Sequence, residues 1–331
     1  MSQISVIGGS GFIGTRLASR LATNGVYLFD IVDKVVSKEF PQQTKNADVR
    51  NFEQLRESIS KDSIIINLAA EHRDDVRPLS LYHDVNVGGA INICKVAKEK
   101  NVKKIIFTSS VAVYGFAPLG TSEEGKILPF NDYGRTKYEA ELVFKEWQAE
   151  APKERTLVIV RPTVVFGERN RGNVYNLLRQ IASGRFLMIG NGENRKSIAY
   201  VENVVAFLEF ALTFKPGIHV YNFIDKPDFT MNTLVKIVNK IIGKPEKVGF
   251  RLPYFLGYSI GKCFDFVAFL SGKKMVISSI RVKKFCSNSV FDTSITSTGF
   301  VSPVPLQKAL EQTVKYEFVE SHDQTNLFYS E

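Results

Sequence analysis

Tyr133 and Lys137 stand four residues apart in Asp132-Tyr133-Gly134-Arg135-Thr136-Lys137. That spacing puts both side chains on one face of a helix. A tyrosine phenol titrates near 10 and is a poor base at neutral pH. A lysine ammonium beside it favours the phenolate. Ser110, read at the C-terminal end of a strand, can hydrogen-bond the hydroxyl from which such a phenolate takes a proton. The three together would move a proton on and off an alcohol. Taken alone, a Tyr–Lys pair at this spacing is also what an exposed helix face carries, so the surrounding elements decide.

The first of those elements is Ile4-Ser5-Val6-Ile7-Gly8-Gly9-Ser10-Gly11-Phe12-Ile13-Gly14. An apolar run ending in closely spaced glycines reads as a strand, a tight turn and a helix N-terminus. Gly8 permits the turn, Gly11 lets backbone approach a pyrophosphate, and Gly14 lets helix and strand pack closely. Phe12 and Ile13 open the helix, whose free N–H groups favour phosphate. The positive nicotinamide of a bound dinucleotide would add to the pull on the Tyr133 proton. Val26–Phe29 reads as the second strand, with Asp30 and Asp33 at or near its end. A carboxylate there accepts both hydrogen bonds from the adenosine ribose and selects NAD over NADP. Asp33 is preferred because Ile31 and Val32 continue the strand; Asp30 is the alternative. Asp48-Val49-Arg50, past a short third strand, is placed to touch the adenine.

Residues 62–68 form a buried parallel strand, and Leu68-Ala69-Ala70 leaves room beside it for the cofactor. A long helix over 79–100 carries Asn86, the strand at 104–107 ends in Thr108-Ser109-Ser110, and the strand at 157–160 ends in Arg161-Pro162. Alternation of this kind predicts an α/β fold, a Rossmann-type doubly wound parallel sheet with right-handed crossovers. From Gly167 the pattern loosens into a smaller mixed α/β lobe. Helices are expected over 174–183, 201–213, 231–242 and 305–316, and a strand over 220–223. The expected division is a dinucleotide domain of 1–166, with 197–225 returning to it. A substrate lobe of 167–196 and 226–319 follows, and 320–331 is a polar tail.

Eleven Lys or Arg stand against two acids between Lys236 and Phe285, which accounts for the whole net charge of +9. Within that stretch Leu252, Leu256, Ile260, Cys263, Val267 and Leu270 share one helical stripe that reads as core. Tyr254, Tyr258, Lys262, Asp265 and Phe269 share another, and aromatic and lysine side chains together suit a membrane interface. Lys273, Lys274, Lys283 and Lys284 would add to it; the bland alternative is a solvated basic face. Peripheral membrane contact through 250–285 is therefore expected, and nucleic acid is not, since no recognised module accompanies the charge. Three cysteines without CxxC spacing and four histidines without ligand spacing give no metal site and suit a reducing, cytoplasmic setting. No stretch is apolar enough to span a bilayer, and the first strand begins too near Met1 for a signal peptide.

The combination of Gly8–Gly14, Asn67-Leu68-Ala69-Ala70, Asn86-Val87, Ser109-Ser110, Tyr114-Gly115, Tyr133 with Lys137, and Arg161-Pro162 resembles the extended short-chain dehydrogenases/reductases. More narrowly it resembles the NAD-dependent epimerase/dehydratase branch, over nearly the whole chain. That resemblance implies a tightly held NAD, with Gly8, Gly11, Phe12, Ile13, Gly14, Asp33, Asp48, Val49, Leu68, Ala69, Ala70, Asn86, Thr108, Tyr133, Lys137 and Pro162 as its contacts. It implies catalysis by Ser110, Tyr133 and Lys137, in which a sugar 4-hydroxyl is oxidised, the 4-keto sugar turns over and hydride returns to its other face. It also implies a homodimer through the helices 79–100 and 132–147. Where 4,6-dehydratases of the branch carry Asp-Glu after the catalytic residue, this chain has Val111-Ala112, so dehydration is not expected. Val164 stands where many nucleotide-sugar enzymes have an asparagine on the diphosphate, while Lys196 matches a basic residue used on it.

Residues 70–76, 166–176 and 281–286 are similar to bacterial 4-epimerases of polyprenol-diphosphate-linked N-acetylhexosamines. This implies interconversion of GlcNAc and GalNAc on undecaprenyl diphosphate for O-antigen assembly, at the inner face of the cell membrane. A UDP-GlcNAc or UDP-glucose 4-epimerase is the alternative. A hydroxysteroid-type NAD dehydrogenase and a non-enzymatic dinucleotide sensor rank below it. His72, Arg73 and Asp74 either touch sugar or shape a loop, and Arg169 and Arg171 either bind phosphate or pair with acids.

Overall fold

The computed structural model describes residues 3–25, 27–73, 76–271, 278–322 and 325–329. In chain order its strands are β1 (Gln3–Ile7), β2 (Leu28–Asp33), β3 (Thr44–Asn46), β4 (Ile64–Asn67), β5 (Lys104–Thr108) and β6 (Thr156–Pro162). They continue with β7 (Val164–Phe166), β8 (Met188–Ile189), β9 (Arg195–Tyr200), β10 (Gly217–Phe223), β11 (Asp225–Thr230) and β12 (Arg251–Leu252). The helices are α1 (Phe12–Asn24), α2 (Phe52–Ser58), α3 (Ser80–His83), α4 (Gly89–Glu99), α5 (Asp132–Ala149) and α6 (Asn173–Ala182). After them come α7 (Val201–Phe210), α8 (Met231–Ile241), α9 (Tyr254–Ser271), α10 (Ser279–Cys286) and α11 (Leu306–Phe318).

Seven strands form one sheet in the order β10-β6-β5-β4-β1-β2-β3, every pair parallel. All seven residues of β6 are buried, as a strand covered by helices on both faces must be. On one face α1 and α7 close the core through Leu17, Leu21, Val204 and Phe207. On the other, α4 and α5 do so through Ile93, Val96, Phe144 and Trp147. The doubly wound α/β fold read from the sequence is the observed one.

Several details differ from the expectation. The second strand starts at Leu28 and runs through Ile31 and Val32 to Asp33, in keeping with the preference for Asp33, and Val26 lies outside the described residues. The helix expected over 79–100 is broken into α3, a single π-helical turn at Asp84–Gly88, and α4. π turns are rare and concentrate at functional sites. Here the turn directs Asn86 inward, and Gly89 lies so close to Val49 that an added Cβ would come within 2.8 Å of its side chain. β10 joins the large sheet as its seventh strand, whereas β9 pairs with β7 and β11 in a separate three-stranded sheet.

The stripe of α9 read as core is not core. Leu256, Ile260, Cys263, Val267 and Leu270 are exposed, and Gly257 and Gly261 are the helix's buried residues. Periodicity identifies residues that share a face but not which face turns inward; the close approach allowed by two glycines decided it. The expected tail is also anchored. Arg171 N donates to Phe328 O and Phe328 N to Arg169 O, and the Phe328 ring sits 5.8 Å from that of Phe12.

Candidate active site

The site assembles where β1, β4, β5 and β6 end. Gly8 turns the chain with φ +74°, and a Cβ there would lie 2.6 Å from Ala69 N. The turn therefore rests against Leu68-Ala69, and Leu68 N donates to Ile7 O. Gly14 allows close contact with Gly9, which follows β1 in the turn, 2.5 Å from an added Cβ. Among the described residues no side chain caps α1, which leaves its first N–H groups open at the turn. Thr108, at the end of β5, has a buried hydroxyl that finds no partner among the described residues. A glycine cradle, an uncapped helix N-terminus and an orphaned hydroxyl are the fittings an NAD pyrophosphate and its flanking sugars require.

Asp33 closes β2 beside this turn and accepts from Ser10 N at 3.0 Å and Val35 N at 3.3 Å. Burial pushes its carboxyl upward, against the pull of those backbone donors. Asp30 lies earlier in the strand and is held by Lys45 Nζ at 2.7 Å and Gln3 Nε2 at 2.8 Å. The glycine turn is thus faced by Asp33 and not by Asp30. Asp48 is clamped by Arg50 through Nη2 and Nε, which holds its carboxyl below the usual range. Val49 packs under Gly89.

Ser110 leaves β5 and accepts from Ala112 N at 3.1 Å, capping a short 3-10 turn at Val111–Tyr114. Asn131 caps α5 by accepting from Gly134 N at 2.9 Å. A Cβ on Gly134 would come 2.4 Å from Ala112 O, so only glycine lets α5 close on that turn. Tyr133 and Ser110 are thereby brought side by side. Burial raises the Tyr133 phenol above its ordinary value, and the neighbouring Ser110 hydroxyl draws it partly back.

Lys137 is 2% exposed, and its Nζ lies over the Phe107 ring, 4.4 Å from the centroid. Burial lowers its pKa to about 7 despite the nearby Glu141 carboxylate. The unfolded chain therefore binds the Lys137 proton more tightly than the folded one between about pH 7 and 10.5. Its cost to stability is full below 7 and relieved as pH rises towards 10.5. Lys137→Met is expected to raise Tm by about 2–5 °C at pH 7 or below. The gain should shrink at pH 9, and a uniform gain at both pH values would contradict the assignment.

Asn86 is held by both ends of its amide. Its Oδ1 accepts from Glu71 N at 2.9 Å, and its Nδ2 donates to Glu71 O at 3.1 Å and Thr136 Oγ1 at 3.0 Å. It ties the loop after Ala70 to the helix bearing Tyr133. Behind the site lies a buried network that sequence reading did not assemble. Glu141 accepts from Ser109 Oγ at 2.5 Å and from Arg161 Nη2 at 2.6 Å and Nε at 2.9 Å. Arg161 Nη1 donates to Tyr114 Oη at 2.6 Å, which donates to Asn222 Oδ1 at 2.8 Å. Pro162 follows at the end of β6, paired with Phe223 of β10.

Lys196 on β9 donates to Lys284 O at 2.8 Å, and burial lowers its pKa to about 8. Beside it opens a cleft of about 650 Å³ lined by Asn194, Arg251, Tyr254, Lys283 and Cys286, among others. Val164 is exposed at the rim of the small sheet. Arg169 bonds Tyr316 Oη at 3.0 Å and pairs with Glu39, and Arg171 pairs with Glu317 at 2.8 Å, so acids and a phenol hold both guanidiniums. Arg73 pairs with Glu71 at 3.1 Å, His72 is exposed, and Asp74 lies outside the described residues.

Comparison with known proteins agrees with this geometry. Residues 4–223 match the model of the NAD dependent epimerase/dehydratase family. The chain is 47% identical to the N-acetyl-alpha-D-glucosaminyl-diphospho-ditrans,octacis-undecaprenol 4-epimerase of Escherichia coli O157:H7, over 99% of both chains. It is 26% identical to the UDP-glucose 4-epimerase of Vibrio cholerae, over 95% of this chain and 94% of that one. The UDP-glucose 4-epimerase of Thermotoga maritima superposes with a TM-score of 0.74 at 22% identity, covering 95% and 98% of the two chains. The UDP-glucuronic acid 4-epimerase of Bacillus cereus, solved in complex with NAD, superposes with 0.72 at 20% identity over the same shares. With a glycine cradle, a strand-end serine and a Tyr–Lys helix on one sheet edge, the chain belongs to the NAD-dependent epimerase/dehydratase family.

Proposed function

We propose that this protein epimerises N-acetylglucosaminyl-diphospho-undecaprenol at C4 to the N-acetylgalactosaminyl form, supplying a surface polysaccharide such as O-antigen. The observation that carries the reading is the 47% identity, end to end, with an enzyme of that name. NAD, held by the Gly8–Gly14 turn, Asp33, the Leu68–Ala70 and Thr108 strand ends, Pro162 and Lys137, would supply a hydride acceptor and then a hydride donor for C4. Tyr133 Oη takes the proton of the sugar 4-hydroxyl as C4 is oxidised, and returns it once the 4-keto sugar has turned its other face. Ser110 holds that same oxygen and keeps the phenol oriented. Val111 and Ala112 form the turn where dehydratases carry acids, and neither can take or give a proton, which favours epimerisation over loss of water.

Lys196 and the basic lining of the neighbouring cleft would bind the diphosphate. In this reading 167–196 and 226–319 are the substrate lobe, with the remainder up to residue 225 holding NAD. The enzyme works as a homodimer through α4 and α5, where Ile91 and Leu142 are exposed apolar residues, and lies peripherally on the inner face of the membrane. A UDP-linked sugar is the second reading, supported by the UDP-glucose 4-epimerase similar along nearly the whole chain. The purified protein, without added cofactor, is expected to convert the polyprenol-linked sugar at least tenfold faster than UDP-GlcNAc. No conversion of the lipid-linked sugar, with turnover of UDP-GlcNAc, would reverse the order.

A further inference from the structure

α9 lies on the body of the protein by its two glycines. A Cβ on Gly257 would come 2.8 Å from the Ile189 side chain, and one on Gly261 2.7 Å from Ser279 N. At 100° per residue the opposite side carries Phe255, Lys262, Phe266 and Phe269 in one stripe. Phe266 is 63% and Phe269 82% exposed, and Phe250 and Leu270 are comparably open. A protein rarely leaves this many large apolar side chains together in water without a partner. Among the described residues no helix is long and apolar enough to cross a membrane.

A second exposed aromatic group lies against α10. Phe116 and Phe130, in the segment that follows the Ser110 turn, stack at 4.7 Å and both face solvent. Lys283 and Lys284 of α10 reach over them, 5.6 Å and 4.9 Å from the ring centroids, and α10 packs along α9. Tyr254 at the start of α9 and Lys283 both line the cleft beside Lys196.

Charge selects among occupants. Residues 250–286 hold seven Lys or Arg and one acid, Asp265. That acid is turned inward, accepting from Ser279 Oγ at 2.5 Å and Ser279 N at 3.2 Å. Protein–protein interface cores are depleted in lysine. Lysines interleaved with phenylalanines instead suit a lipid interface, where the ammonium reaches the headgroups and the stem and rings sit below.

We propose that α9, α10 and the Phe116–Phe130 pair form one docking face for an anionic bilayer, with the mouth of the cleft opening onto it. The face extends the lipid-linked-substrate reading, because a diphosphate at the headgroup level would meet the cleft while its polyprenyl chain stayed in the membrane. It can be tested apart from that reading, since vesicle binding needs no turnover.

The full-length protein should sediment with phosphatidylglycerol/phosphatidylcholine vesicles and less with phosphatidylcholine alone, the difference falling at high salt. The double variant Phe266→Asp/Phe269→Asp, with unchanged circular dichroism and unchanged turnover in detergent, should lose at least tenfold in vesicle affinity. Lys262→Gln should lose about fivefold. Phe116→Ser/Phe130→Ser should also weaken binding several-fold. Unchanged binding in that variant would overturn the composite face. Absence of sedimentation with anionic vesicles would overturn docking altogether. So would concentration-dependent self-association that Phe266→Asp/Phe269→Asp abolishes, because a second copy would then cover the face.

Discussion

Tyr133→Phe is expected to lower kcat for epimerisation by about 10²–10⁴-fold while leaving NAD and substrate binding within about threefold. The variant removes one oxygen and keeps the ring, so the Asn131 cap and the Gly134–Ala112 contact that aim it remain. Ser110 cannot substitute, because its hydroxyl is a far weaker base than a phenolate. Burial raises the Tyr133 phenol, and Lys137, lowered to about 7, is largely uncharged at pH 8. Both side chains are therefore neutral at that pH, and a positive charge placed beside them, such as the nicotinamide of NAD, would favour loss of the phenol proton. The check is product formation in single and multiple turnover, with binding followed by calorimetry. Turnover within threefold of the parent would remove Tyr133 from the mechanism.

What the sequence makes legible follows from the range of each interaction. The Tyr133–Lys137 face and the glycine turn are local, and spacing alone places them. Ser110 is legible because a strand that ends in small polar residues delivers them to the sheet edge. Asp33 could be preferred to Asp30 because an apolar Ile31-Val32 pair extends β2. The inward side of α9 was not legible from its large residues; Gly257 and Gly261, four apart, were the available signal. The Gly88-Gly89 pair was the corresponding signal for the π turn. The Arg161–Glu141 contact carries no local signature, since its partners come from β6 and α5 and lie 20 residues apart. The same holds for Phe328, whose return over Phe12 depends on where α11 leaves the chain.

That long-range network sets the second large effect. Glu141→Ala is expected to destabilise the protein by about 3–5 kcal/mol. At roughly 2.1 cal/mol/K of unfolding entropy per residue, this is a fall in Tm of about 4–7 °C. Glu141 is fully buried and Arg161 nearly so, with 2.6 Å between Glu141 Oε2 and Arg161 Nη2. Burial alone would lower the Arg161 pKa, but the bonds to Glu141 and Tyr114 outweigh it and keep the guanidinium charged. Removing the carboxylate strands that charge in an apolar interior and leaves Ser109 Oγ without its acceptor. The loss also reaches the site, because Ser109 precedes Ser110 and Glu141 lies one turn beyond Lys137 on α5. A companion variant separates charge from packing: Glu141→Met with Arg161→Met removes both ions and should recover most of the lost stability. If the single variant melted within 1 °C of the parent, the network would be packing alone. If the double variant were no better than the single, the penalty would lie in lost volume rather than in an unpaired guanidinium.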